Sequence, residues 1–252
     1  MAFYDGLAGS YHLIYTDWEG AVERQASVLD KVIRRRSNAA DPHLLDCACG
    51  IGTQALGLAM CGFDVTATDI SPHAVERCQR EADDRGIKVT TQVVDMRHLA
   101  DAIDGRFDVV LSCDNAVPHL LGSWDLLAAL RGMHARLVPG GLVVIGLRDY
   151  EQLRQERPRS TPIRVFDGGE RLVFQVWDWE ESGEIYGLRH FLVQRQEGIW
   201  HTQCSEARYR ALTRAELTAA LDASGFVETE WQLPTESGHF ELLVTALRDS
   251  AS

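Results

Sequence analysis

Lysine is almost absent: Lys31 and Lys88 are the only two, and the rest of the basic charge is arginine. Even so, 25 basic residues face 37 acidic ones, a formal net charge of −12 at pH 7. That is the wrong sign for a protein whose affinity comes from neutralising phosphates, so nucleic acid is not the expected substrate. Cys47, Cys49, Cys61, Cys78, Cys113 and Cys204 contain no Cys-x-x-Cys pair. Together with the histidines they offer no metal-ligand spacing, and they read as small hydrophobes of a reducing compartment. No run approaches the roughly 18 apolar residues of a membrane span, and residues 1–6 have neither a basic nor an apolar leader region. The expectation is a cytoplasmic protein, neither exported nor embedded, without a metal. Internal repeats and low-complexity segments are also missing.

What is present is an ordinary globular composition, 45% hydrophobic and 25% charged over 252 residues, enough chain to bury a core without staples. Apolar residues at helical spacing predict a helix over 17–36, after a lead carrying Tyr4, Tyr11, Tyr15 and Trp18, in which the Tyr11-x-x-x-Tyr15 spacing puts both rings on one helix face. Short apolar strands then alternate with helices: strands over 43–47, 64–68, 89–94, 107–112 and 141–147, helices over 53–61, 72–84 and 123–137. Such alternation implies βαβ crossovers and a parallel sheet covered on both faces. Pro139-Gly140-Gly141 reads as the turn before the fifth strand. After Asp149 the period becomes two, predicting antiparallel strands over 163–166, 171–179, 184–194 and 200–209. Thr213 and Glu216 form a capping-box signature for a helix over 214–223, and strands at 226–233 and 240–247 follow. The expected organisation is an N-terminal helical arm or lid (1–40), a cofactor-binding core (41–150), an inserted antiparallel unit on the substrate side (151–210) and a return to the core (211–252).

The densest local pattern is Leu44-Leu45-Asp46-Cys47-Ala48-Cys49-Gly50-Ile51-Gly52-Thr53, a buried strand running into two glycines and a helix. Glycines there let the backbone approach a ligand, and the helix N-terminus favours an anionic group. Asp69 ends the next strand, where α/β folds take hydrogen bonds from ribose hydroxyls, and Asp95 ends the third. Each acid alone could cap a loop; three at successive strand ends line one carboxyl edge of the sheet.

With these residues the chain resembles the class I S-adenosylmethionine-dependent methyltransferases, from about Tyr4 to Leu247. Asp46 to Gly52 match that family's first motif, Asp69 its ribose-binding acid, Asp95-Met96 its adenine-edge pair, and Pro139-Gly140-Gly141 the turn before its fifth strand. The resemblance implies an α/β, Rossmann-like seven-stranded mixed sheet with helices on both faces, the last two strands forming an antiparallel pair. It also implies S-adenosyl-L-methionine as cofactor and S-adenosyl-L-homocysteine as product. Asp46, Cys49, Gly50, Gly52, Asp69, Ile70, Asp95, Met96 and Cys113 would hold the cofactor, with Tyr11 near the sulfonium, where a ring face attracts the cation. The spacing Gly50-x-Gly52-x-x-Ala55 also fits a looser dinucleotide fingerprint, so a nicotinamide oxidoreductase is a rival. No Tyr-x-x-x-Lys pair accompanies it, and an acid in the strand end suits an amino group better than a pyrophosphate.

Two loops leave the same carboxyl edge: Ser112 to Leu120 after the fourth strand and Arg148-Asp149-Tyr150 after the fifth. They resemble the glycine/sarcosine N-methyltransferase branch, which implies that Asn115 and Arg148 hold a substrate carboxylate. His119 and Tyr150 match its neighbouring positions, and Tyr15 joins them from the arm. Asp149 stands where that branch has Asn, and Asp114 and Pro118 also depart from it. A guanidinium offers a carboxylate a two-pronged fork and Asn115 a further donor. Tyr11, Asn115 and Arg148 are thus the candidate catalytic residues, working by positioning, with no general base assigned. The expected reaction is N-methylation of a small amine or amino acid. O- or C-methylation of a specialised metabolite, a noncatalytic binding module and the oxidoreductase are the alternatives.

Overall fold

The computed structural model describes residues 6–37 and 39–250; Tyr4 of the aromatic lead lies outside them. Two sheets organise the chain. Five strands, β1 (His43–Asp46), β2 (Asp64–Asp69), β3 (Val89–Val93), β4 (Phe107–Ser112) and β5 (Leu137–Leu147), pair in parallel. A second sheet holds β6 (Arg164–Phe166), β7 (Arg171–Trp179), β8 (Ile185–Gln196) and β9 (Ile199–Arg210), all antiparallel. Then β10 (Phe226–Gln232) and β11 (Leu242–Arg248) complete the first sheet in the order β10-β11-β5-β4-β1-β2-β3, with β11 antiparallel to both neighbours.

Alternation within the strands divides their side chains between two cores. Leu45, Val110, Val143 and Val244 face one, while Leu44, Val109, Val144 and Leu243 face the other. This is the two-faced burial that parallel strands require. The main helices are α1 (Trp18–Arg36), α2 (Thr53–Met60), α3 (Pro72–Arg85), α4 (Ser123–Arg136), α5 (Tyr150–Glu156) and α6 (Arg214–Asp222). Asp17 caps α1 by accepting from Gly20 N–H at 3.0 Å, and Val22, Ala26, Leu29 and Ile33 form its buried stripe. Ser71 caps α3 ahead of Pro72, and Thr213 with Glu216 closes a capping box on α6.

Three local expectations are corrected. Pro139-Gly140-Gly141 is not a turn before β5 but a bulge inside it: the pairing with β4 jumps from Phe107 opposite Leu137 to Val109 opposite Leu142. The last strand starts at Leu242 rather than 240, because a helical turn at Pro234–Ser237 takes up the connection and leaves His239, Phe240 and Glu241 in a loop. Tyr11 and Tyr15 do not share an α-helical face. Tyr11–Ile14 is a 3-10 turn and Tyr15 is extended beyond it. Among the described residues no helix is long and apolar enough to cross a membrane.

Candidate active site

The carboxyl ends of β1, β2 and β4 are stitched together by backbone hydrogen bonds. Cys47 N–H reaches Leu111 O and Cys49 N–H reaches Thr68 O, both at 2.9 Å. Asp69 fixes the glycine loop: Oδ2 accepts from Gly50 N–H and Oδ1 from Ser71 N–H, each at 2.9 Å. A β-carbon on Gly50 would meet nothing within 4 Å. The loop therefore leaves open space against a backbone held in place by an acid, the kind of cradle an adenosyl group with an amino-acid tail needs. That space belongs to a cavity of about 470 Å³ lined by Cys49, Gly50, Asp69, Ile70, Asp95, Met96 and Cys113, with Tyr11 at its side.

Asp46 and Gly52 are not among the lining residues. A β-carbon on Gly52 would lie 2.8 Å from Leu56 Cγ and 2.9 Å from Cys78 Sγ, so this glycine is set by packing beneath the loop. Asp46 is buried under it. Its Oδ1 accepts from Ala48 N–H at 3.2 Å, and Oδ2 has no partner among the described residues. Burial, joined by repulsion from Asp69 and Asp114, pushes its carboxyl up to about 7. Asp95 works against its own burial: the Arg97 guanidinium grips both oxygens, with Nε 3.0 Å from each, and holds the carboxyl below its usual range.

Beside this cavity lies a larger one of about 1430 Å³, walled by the N-terminal segment, the loops after β4 and β5, strands β7–β9 and the loop before β11. Tyr11 and Asp114 line both. Asp114 and Asn115 each have positive φ, 60° and 61°, a sharp turn that drives both side chains inward. Tyr15 Oη donates to Asp114 Oδ2 at 3.0 Å and Tyr11 Oη to the same oxygen at 3.4 Å, their rings 6.2 Å apart. Asn115 Oδ1 accepts from Arg148 N–H at 3.2 Å and Tyr150 Oη at 3.0 Å, which aims Nδ2 away from both; Nδ2 has no partner among the described residues.

Arg148 is not taken up by Asp149 or Glu151, which cap α5 and pair with Arg214 respectively. Its guanidinium donates to Tyr186 Oη at 3.2 Å and Gln175 Oε1 at 3.4 Å, over the rings of Trp177 and Tyr209 at 5.1 and 5.8 Å. Burial opposes its charge, but the phenols of Tyr186, Tyr150 and Tyr209 and the Glu241 carboxyl keep it protonated. Tyr150 is fully buried outside the cavity lining and supports Asn115 from behind. His119 lines the smaller cavity instead, its ring 4.1 Å from that of Tyr209, and burial pushes it down to about 4, so the imidazole is neutral.

Residues 44–141 match the family described as methyltransferase domain. Those residues form a methyltransferase domain of the class I S-adenosylmethionine-dependent kind. Of the two cofactor readings of Gly50-x-Gly52, this family supports the methyl donor. The chain is 30% identical over 137 residues to the glycine/sarcosine N-methyltransferase of Parasynechococcus marenigrum (strain WH8102), covering 54% of this chain and 48% of that protein. It thus spans about half the length of such relatives. It is 28% identical to the dTDP-3-amino-3,6-dideoxy-alpha-D-glucopyranose N,N-dimethyltransferase of Streptomyces fradiae, over 89% of this chain and 86% of that one. The structure of the CcbJ methyltransferase from Streptomyces caelestis shares the fold, with a TM-score of 0.78, 17% identity and coverage of 99% and 98% of the two chains.

The sequence pointed to Tyr11, Tyr15, Asn115 and Arg148, and the structure brings all four to one cavity. It did not single out Glu241, which lines the same cavity with Oε2 unpartnered among the described residues, nor Gln175 on β7. Asp114 was visible only as a departure from the glycine/sarcosine pattern.

Proposed function

We propose that the chain transfers a methyl group from S-adenosylmethionine to the nitrogen of a small-molecule amine. The observation that carries this is the shared wall: Tyr11 and Asp114 border both the cradle over Gly50 and the acidic, aromatic-walled cavity beside it. An acceptor bound in the larger cavity then faces the donor at one place only. Gly50, Asp69, Ile70, Asp95 and Met96 would hold the cofactor, which when bound supplies a methyl already activated on a sulfonium. This chain's own residues need to bind, orient and exclude water, and positioning of that kind is worth up to about 7–11 kcal/mol in favourable cases. Tyr11 presents its ring and phenol at the junction. Arg148, Asn115 and Tyr15 orient the acceptor.

An amino acid is one acceptor class, supported by the Asn115 and Arg148 pair and by the glycine/sarcosine relatives. Cavity size favours a second, an amino sugar or similarly bulky amine: about 1430 Å³ exceeds the usual 300–1,000 Å³ of small-ligand pockets. The Streptomyces fradiae relative, named for an amino-sugar substrate, also aligns across most of the chain. Calorimetric titration with S-adenosylmethionine and separately with NAD tests the cofactor. Binding of the first alone is expected, and Asp69→Ala should weaken it by about 1–3 kcal/mol. Release of S-adenosylhomocysteine from glycine, sarcosine, 3-amino-3-deoxyglucose and a simple phenol then ranks the acceptors. Turnover of the phenol alone would move the reaction to oxygen.

A further inference from the structure

We propose that Glu241 receives the acceptor's ammonium group in the larger cavity and takes a proton from it, with Asn115 as the adjoining donor. This rests on the N-methyl transfer reading above. The pairing of β11 with β5 places Leu242 opposite Leu147, and continuing that register sets Glu241 beside Arg148. Glu241 is only 8% exposed, yet it lines the cavity, and its Oε2 has no hydrogen-bond partner among the described residues. Arg148 and the Asn115 backbone N–H act on this carboxyl, but a buried oxygen left without a hydrogen bond is costly, and a cation in the cavity would relieve that cost. Asn115, 3% exposed, presents a second unpartnered atom, Nδ2, on the same cavity. Two buried polar groups of opposite hydrogen-bonding sense thus await one ligand that carries both a donor and an acceptor.

The groups around Glu241 come from every neighbouring element. Asp114 and Cys113 stand on the loop after β4, Arg148 after β5, Tyr15 on the N-terminal segment, Tyr186 on β8, and His239 on the same loop. Asp114 already takes two phenol hydrogens, which leaves Glu241 as the carboxyl with capacity to spare. His239 is held neutral by burial, its Nδ1 accepting from Glu241 N–H at 3.3 Å. Burial and the nearby Asp114, outweighing Arg148 and the Asn115 N–H, push the Glu241 carboxyl up to about 8, nearer to an alkylammonium than an ordinary carboxyl lies. In the step proposed, arrival of the ammonium displaces the carboxyl's own proton to solvent; the ammonium N–H bond then breaks, the ammonium's proton passes to Oε2 and the nitrogen keeps the electron pair with which it attacks.

The test uses the protein loaded with S-adenosylhomocysteine and titrated with benzylammonium and its neutral counterpart benzyl alcohol. At pH 7 the unsubstituted protein should prefer the ammonium. It should also release close to one proton on binding it, read from buffers of different ionisation heat. Glu241→Gln should bind benzylammonium at least about tenfold more weakly and release no proton, with benzyl alcohol unchanged. Equal affinity of the two proteins for benzylammonium, or no preference for ammonium over alcohol, overturns the proposal. Retained S-adenosylhomocysteine binding reports that the variant is folded. Should Glu241→Gln lose it, Glu241→Asp replaces it and must still release the proton while losing part of the ammonium affinity; unaltered ammonium affinity there also overturns the proposal. Failure of the unsubstituted protein to bind S-adenosylhomocysteine would remove the methyltransferase reading itself, and this proposal with it.

Discussion

A methyl group added at Gly50 would enter open cavity, whereas one added at Gly52 would collide with Leu56 and Cys78. Both glycines have positive φ, 53° and 100° respectively, so both substitutions carry backbone strain, but only one meets a packed neighbour. Gly52→Ala should lose roughly 2–4 kcal/mol of stability in urea unfolding, strain and overpacking combined. Gly50→Ala should lose only about 1–2 kcal/mol while weakening S-adenosylmethionine binding at least about tenfold. Calorimetry alongside urea titration separates the two. Equal losses of stability would mean that the loop relaxes around Gly52 and that the division of labour is wrong. Sequence alone treats this pair alike, because Gly-x-Gly says that the backbone turns tightly and not which glycine faces the ligand.

Between elements, the decisive contact is Arg171. Its guanidinium, on β7 and only 6% exposed, donates to the carbonyls of Leu13 and Tyr15 and is itself gripped by Asp167. One side chain thereby ties the second sheet to the segment that carries Tyr11 and Tyr15. Arg171→Ala strands two carbonyls and should ease local opening by about 1–3 kcal/mol, or roughly ten- to a hundredfold faster amide exchange. That change should be confined to residues 10–16, with β1 and β4 still protected; uniform acceleration would show that Arg171 supports the whole fold instead. The strands themselves were legible because their apolar period is strong, in Leu44-Leu45 as in Leu142 to Ile145. What was not legible depends on pairing at a distance. Residues 139–141 read as a turn until β4 supplies a partner on each side of them, and Tyr11 and Tyr15 meet through Asp114 rather than through a helix face. Glu241 stands alone near the end of the chain, and only the insertion of β11 beside β5 brings it to Arg148.

At the scale of the molecule, buried acids and buried histidines pull stability in opposite directions with pH. His119, His190 and His239 are each pushed down to about 4, first by burial. As pH falls from 6.5 towards 4 the unfolded chain takes up protons that the folded chain refuses, and stability is lost on that side. Asp46 does the reverse, since burial raises its carboxyl from 3.8 to about 7. Through that window the folded chain keeps a proton that the unfolded chain has released, so stability falls as pH rises. Asp46→Asn isolates the second effect: the amide keeps Oδ1 as acceptor for Ala48 N–H and cannot ionise. Its stability relative to the parent should be lowest below pH 3.8, where the parent's Asp46 is protonated in the folded and the unfolded chain alike. It should climb by up to about 1.4 kcal/mol per pH unit towards pH 7 and level off above it. Urea midpoints of the two proteins at successive pH values, without cofactor, give the difference directly, and any fixed cost of the new amide group cancels from its slope. A difference that stays flat from pH 4 to 7 would mean that Asp46 is ionised in the folded protein, and that water or a moving glycine loop reaches the unpartnered Oδ2.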